Sequence, residues 1–133
     1  MEEKDKIINN FNNLLNIINR LRNDETGCEW CKQQTSKSIA KYSLEEANEV
    51  VEAIESGDNS RICDELGDLL FQVIFHSEIK KEENAFSIND VIESINKKMI
   101  RRNPHVFDNK ENKKFTVDQI DKNWNCIKLE EKL

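Results

Sequence analysis

Glycine and proline are scarce in this chain, at three residues and one residue of 133, and few segments carry the β-branched and aromatic alternation of strands. With charged residues at 35% and the apolar ones in periodic clusters, that scarcity points to a mainly helical, water-soluble protein. No run of about 18 apolar residues exists to cross a membrane, and the opening "MEEKDKIINNF" lacks the basic-then-apolar layout of a secretory leader, so a cytoplasmic location is expected. An excess of positive charge is missing too. The net charge of -6 argues against general binding to a nucleic-acid backbone, although a local basic patch can still hold a phosphorylated small molecule.

Sulfur chemistry is the next absence. The four cysteines are Cys28, Cys31, Cys63 and Cys126, and the second close pair that a thiolate zinc site normally uses is missing. A thioredoxin-like use of "GCEWCK" wants a strand and a βαβ setting, whereas the segment before it is amphipathic and helical.

What is present is one domain's worth of chain, expected as a single domain over residues 1–133 with an all-α, helical-bundle fold. Ile7, Ile8, Phe11, Leu14, Leu15, Ile18 and Leu21 recur at helical intervals over roughly residues 4–22. A polar loop containing "GCEWCK" follows, and a second helix spans about 36–56, closed by Gly57. From about 60 to 83 the apolar residues cover almost the whole helical circumference, which predicts a helix at the centre of the bundle. "SIND" opens a fourth helix that runs to about Arg102 and is stopped by Pro104. After a loop, "TVDQ" opens the last helix, at Thr116.

The acids fall where a helical protein has little reason to place them. On the second helix Glu46 lies beside the apolar face of Ala47, Val50, Val51 and Ile54, with Glu49 the next acid round, while Glu52 and Glu55 turn to solvent. On the third, Glu65 and Asp68 stand i, i+3 in a segment with little polar face, so both are expected to be at least partly buried. Structural salt bridges are one explanation. The other is a metal, because burying several ionised carboxylates together is unfavourable without cations to neutralise them. Hard oxygens with no His or Cys at matching spacing select Mg²⁺, or Mn²⁺ as a substitute. Gly67, between the two acids, suggests close approach of another group. His76 reads as a core or supporting histidine rather than a ligand.

Lys97, Lys98, Arg101 and Arg102 cluster at the end of the fourth helix. Favourable interaction with that helix's C-terminus explains one or two of them, and a phosphate clamp explains all four. Trp124 and Lys128, at i, i+4 on the last helix, can meet the same ligand, with Trp124 as plain core the competing reading.

The stretches "CEWCKQQT", "YSLEEANEVVEAI", "DELGDLLFQVIFHSEI", "KKMIRRNPHVF" and "WNCIK" occur in an order and at spacings that resemble the MazG family of nucleoside triphosphate pyrophosphohydrolases, from about Phe11 to Lys128. The resemblance implies an all-α enzyme that hydrolyses (d)NTP at the α-phosphate to (d)NMP and pyrophosphate, in nucleotide-pool cleaning or control. It implies a homodimer with a four-helix-bundle core shared between protomers, a tetramer being the other option. It also implies Mg²⁺ on Glu46, Glu49, Glu65 and Asp68, with Glu45 or Glu49 as base, and nucleotide binding by Lys98, Arg101, Arg102, Trp124 and Lys128. A narrower dUTP, dCTP or phosphoribosyl-ATP pyrophosphatase, and a non-catalytic helical dimer that binds a nucleotide or partner, are the alternatives.

The family's usual Cys-Pro-Trp-Asp reads Cys28-Glu29-Trp30-Cys31 here. The second cysteine is most simply a substitution in a helix-entry loop, with a reversible Cys28–Cys31 disulfide as a minor property.

Overall fold

The computed structural model describes residues 2–133, and these residues form an all-α fold with no strand. Among them seven helices follow in chain order: α1 Glu3–Leu21, α2 Glu29–Gln33, α3 Ser36–Ser56, α4 Asn59–Glu82, α5 Ile88–Arg102, α6 Pro104–Phe107 and α7 Val117–Glu131. The five long ones lie within a residue or two of the sequence expectation. None of the described helices is long and apolar enough to cross a membrane. The chain divides into two compact units, one ending at Ile88 and the other Asn89–Leu133.

In the first unit, α3 begins with a capping box. Thr35 Oγ1 accepts the Ser38 N–H at 3.1 Å while Ser38 Oγ accepts the Thr35 N–H at 2.9 Å, satisfying two amides that the helix leaves open. The helix ends at Gly57, whose φ of 72° is the left-handed conformation that glycine adopts without strain. Asp58 then caps α4 by accepting from the Ser60 and Arg61 amides. This two-residue connection lets α4 pack along α3, with α1 against α4.

The core gathers Cys31, Ile39, Phe75 and Ile79, with Leu21, Cys28, Tyr42 and Phe71 packed around them. Phe71 and Phe75 meet edge to face at 5.4 Å. Each large apolar side chain buried there stabilises the fold by about 1.5–3 kcal/mol, so truncating Phe75 to alanine costs roughly 3–5 kcal/mol. Arg22, just past α1, forks across the same region. Its Nη1 donates to the carbonyls of Cys31 and Gln34 at 2.6 and 3.0 Å, and Nε and Nη2 donate to Glu82 on α4, both at 2.7 Å.

Two expectations are corrected. The "GCEWCK" stretch is not simply a loop, because Glu29–Gln33 forms α2, and the loop after α5 likewise contains α6, whose first residue is Pro104. Within this single chain α4 is covered only in its second half. Ile74, Phe75 and Ile79 are buried, whereas Leu66, Leu70 and Val73 are 41–49% exposed. Gly67 meets no close neighbour: a Cβ built on it has open space to 4 Å.

In the second unit, α7 opens with the capping box expected at "TVDQ". Thr116 Oγ1 accepts the Gln119 amide at 3.2 Å, and Gln119 Oε1 accepts the Thr116 amide at 2.9 Å. Asn103 closes α5 by donating to the Met99 carbonyl at 2.7 Å.

Candidate functional site

Glu46 and Glu49 lie one turn apart on α3, Glu65 and Asp68 one turn apart on α4, and the packing of these helices brings one oxygen from each of the four within 4.8 Å of the others. This is the acidic set that the sequence singled out. Glu46 and Glu65 are half-buried while Glu49 and Asp68 are exposed, so the cluster is closed on the protein side and open on the other. The expectation of partial burial therefore holds for Glu65 and fails for Asp68, which sits at the open rim.

The electrostatics of this arrangement are strained. Glu46 Oε2 and Glu65 Oε2 are buried with no hydrogen-bond partner. Burial, then hydrogen bonding to and repulsion from Glu49, with Asp68 and Glu65 adding to it, pushes the Glu46 carboxyl up to about 7. Glu65 is raised for the same reasons, burial first and Glu49 next. Among the described residues no Lys or Arg is ion-paired with any of the four, so the salt-bridge explanation lacks its cations. Two orphaned oxygens, repelling carboxylates and an all-oxygen donor set fit a hard divalent cation, and Glu46, Glu49, Glu65 and Asp68 would hold it. Glu45, exposed on α3, stands outside the cluster.

His76 does not join them. Its Nε2 lies 3.1 Å from Ser43 Oγ and burial lowers its pKa, the behaviour of a supporting core histidine.

Glu46 also borders a cleft of about 310 Å³, lined in addition by Trp30, Tyr42, Phe71, Phe75, Ile39 and Gln72. Trp30 and Tyr42 meet there edge to face at 6.0 Å, and Gln72 Oε1 is buried without a partner. Sequence reasoning missed Tyr42 and Gln72 as site residues. For Gln72 a signal existed: it follows Asp68 by four positions and Glu65 by seven, so this amide in an apolar segment shares their helical face.

In the second unit the basic residues and Trp124 are partly assembled. Arg101 and Arg102 both donate to the Glu131 carboxylate, at 2.5 and 2.8 Å, and the Arg102 guanidinium lies 5.6 Å from the centre of the Trp124 ring. Those hydrogen bonds, Arg102's before Arg101's, hold the Glu131 carboxyl down at about 2. Trp124 is thus half-buried and stacked on a cation, Lys98 is half-buried, and Lys128 is exposed. Glu131 is the residue that sequence reasoning did not foresee here, lying at the last position of α7 with no periodic signal.

Residues 34–107 match the MazG nucleotide pyrophosphohydrolase domain, which covers more than half of the chain. Over 122 residues, 92% of the chain is 43% identical to 45% of the nucleoside triphosphate pyrophosphohydrolase/pyrophosphatase MazG of Thermotoga maritima. Over 125 residues, 94% of it is 42% identical to 47% of the nucleoside triphosphate pyrophosphohydrolase of Escherichia coli. The chain thus spans about half the length of these two relatives. The crystal structure of a mazG-related protein from Thermotoga maritima superposes with a TM-score of 0.70 at 24% identity, over 89% of this chain and 98% of that one, and bears out the fold.

Proposed function

Because this chain belongs to the MazG nucleotide pyrophosphohydrolase family, we propose that it is a Mg²⁺-dependent nucleoside triphosphate pyrophosphohydrolase, cleaving (d)NTP at the α-phosphate to (d)NMP and pyrophosphate. The observation that carries this reading is the four-carboxylate cluster at the packed face of α3 and α4. Mg²⁺ held there supplies charge neutralisation for a polyphosphate and a more acidic water at neutral pH, and Mn²⁺ serves as a substitute.

The chain's own residues have separate tasks. Glu46 and Glu65, half-buried and each with an unpartnered oxygen, fix the buried side of the cluster, and Glu49 and Asp68 complete it at the rim. Glu49 takes the proton of the attacking water, being both exposed and inside the cluster, and Glu45 is the alternative base. Lys98, Arg101, Arg102 and Lys128 bind the phosphates, the arginines by paired N–H donors and the lysines as point charges. Trp124 holds the Arg102 guanidinium by stacking.

The same proposal takes residues 1–133 as one working domain and places it in the cytoplasm. It also makes the chain a homodimer. Leu66, Leu70, Val73, Val51 and Ile54 leave an apolar face on α3 and α4 that a second copy would cover.

The test is a panel of ribo- and deoxyribonucleoside triphosphates assayed with Mg²⁺ for both pyrophosphate and orthophosphate. Pyrophosphate with nucleoside monophosphate is the expected product pair, and orthophosphate with nucleoside diphosphate would overturn α attack.

A further inference from the structure

Of the four free cysteines, Cys63 and Cys126 are exposed and isolated in the chain, whereas Cys28 and Cys31 share one helical turn. Cys28 is the N-cap of α2 and its Sγ accepts the Cys31 amide at 3.4 Å. Side chains on a helix lean toward its N-terminus, so the Cys31 side chain leans back toward Cys28. Residues three apart across a first helical turn fall within the roughly 4.4–6.8 Å Cα separation that a disulfide spans.

The backbone around the pair is fixed before any reaction. The Cys28 amide donates to the Leu21 carbonyl at 2.8 Å and the Gly27 amide to Asn23 at 2.9 Å. A Cβ at Gly27 would lie 2.4 and 2.5 Å from the Asn23 and Leu21 carbonyl oxygens, so this turn closes only around glycine. Arg22 pins the carbonyls of Cys31 and Gln34, and Lys32 Nζ donates to the Asp24 carbonyl at 2.7 Å. Closing a disulfide in such a frame loses little further freedom.

The two sulfurs are also unequal. Cys28 is half-exposed, and its thiol is held below the ordinary range by the Cys31 amide first and the Cys31 thiol next. Cys31, at 8% exposure, is pushed up by burial first and the Cys28 thiol next. One accessible, more acidic thiol beside one sheltered thiol is the division of labour of an attacking and a resolving cysteine.

We propose that Cys28 and Cys31 form a redox-active dithiol that exchanges with low-molecular-weight disulfides. The Cys28 thiolate attacks one sulfur of the small disulfide, forming a mixed disulfide and expelling one thiolate. Cys31 then gives up its proton and attacks Cys28 Sγ, closing the intramolecular bond and expelling the second thiolate. Both released thiolates take up protons, so two protein thiols are oxidised by two electrons and one small disulfide is reduced to two thiols. The bond brackets Trp30, which lines the cleft beside Glu46, while Cys28 itself lines a separate cleft with Arg20, Leu21 and Thr26.

The experiment equilibrates the intact chain in glutathione buffers of stepped oxidised-to-reduced ratio, quenches with an alkylating agent and maps the cysteines by mass spectrometry. A species lacking two hydrogens, with Cys28 joined to Cys31, is expected at an oxidised fraction about ten-fold lower than Cys63 or Cys126 needs to become glutathionylated. Cys31→Ser should accumulate glutathione on Cys28, and a Cys63→Ser, Cys126→Ser double variant should keep the transition. Cys28 and Cys31 remaining reduced while Cys63 or Cys126 is already modified, or a bond that joins any other pair, would overturn the proposal.

Discussion

Arg102 donates to Glu131 through both Nε and Nη2, at 3.2 and 2.8 Å to the same carboxylate oxygen, and Arg101 takes the other oxygen. One acid thereby holds two of the cations assigned to phosphate binding. Glu131→Gln removes the charge and keeps the shape. Because the folded carboxyl sits at about 2 against an ordinary 4.5, its stabilisation is complete above about pH 4.5 and is lost as pH falls toward 2. The variant should therefore show a lower Tm at pH 7, by calorimetry, with the gap to the parent narrowing as the pH is lowered through 4.

Glu46 has the opposite sign. A carboxyl raised from 4.5 to about 7 favours the folded state while protonated, so that contribution is present below pH 4.5 and fades as pH rises through 7. Protein freed of divalent ions should lose thermal stability between about pH 5 and 8. Glu46→Gln should flatten this slope, and millimolar Mg²⁺ should restore the parent at pH 8 by binding only the folded cluster. A pH-independent Tm in the presence of chelator would rule the effect out.

Glu65→Gln or Asp68→Asn removes one charge from the cluster and leaves the helix former in place. Pyrophosphate release should fall at least about a hundred-fold while the circular dichroism of the helices is unchanged. Retained activity would count against these acids as the metal's ligands.

Gly67 stands in the exposed half of α4 with open space around its missing side chain. Alanine there adds helix propensity and meets nothing in the chain, so Gly67→Ala should raise stability by about 0.5–1 kcal/mol in urea titration. A fall instead would indicate that another molecule packs against that turn.

The long helices and the acidic site were readable because both rest on periodicity. Apolar residues at three and four fixed the five long helices, and acids at i, i+3 on two such helices are brought together once their apolar faces pack. The short helices were hidden, since four or five residues give no full period: α2 depends on Cys28 as cap and on Arg22, which lies far from it in pattern terms. The half-covered state of α4 was equally out of reach, because a helix that is apolar all round does not say which neighbours exist to bury it. Asp68 at the rim rather than in the interior follows from the same fact.

Arg22 is dry at one end and wet at the other: its side chain is 9% exposed and that of its partner Glu82 is 50% exposed. Dissolved ions weaken attraction at the exposed carboxylate and leave the sheltered bonds to the Cys31 and Gln34 carbonyls almost untouched. Rising ionic strength therefore loosens the end of α4 from Arg22 while the cysteine-bearing turn keeps its hold on the same side chain.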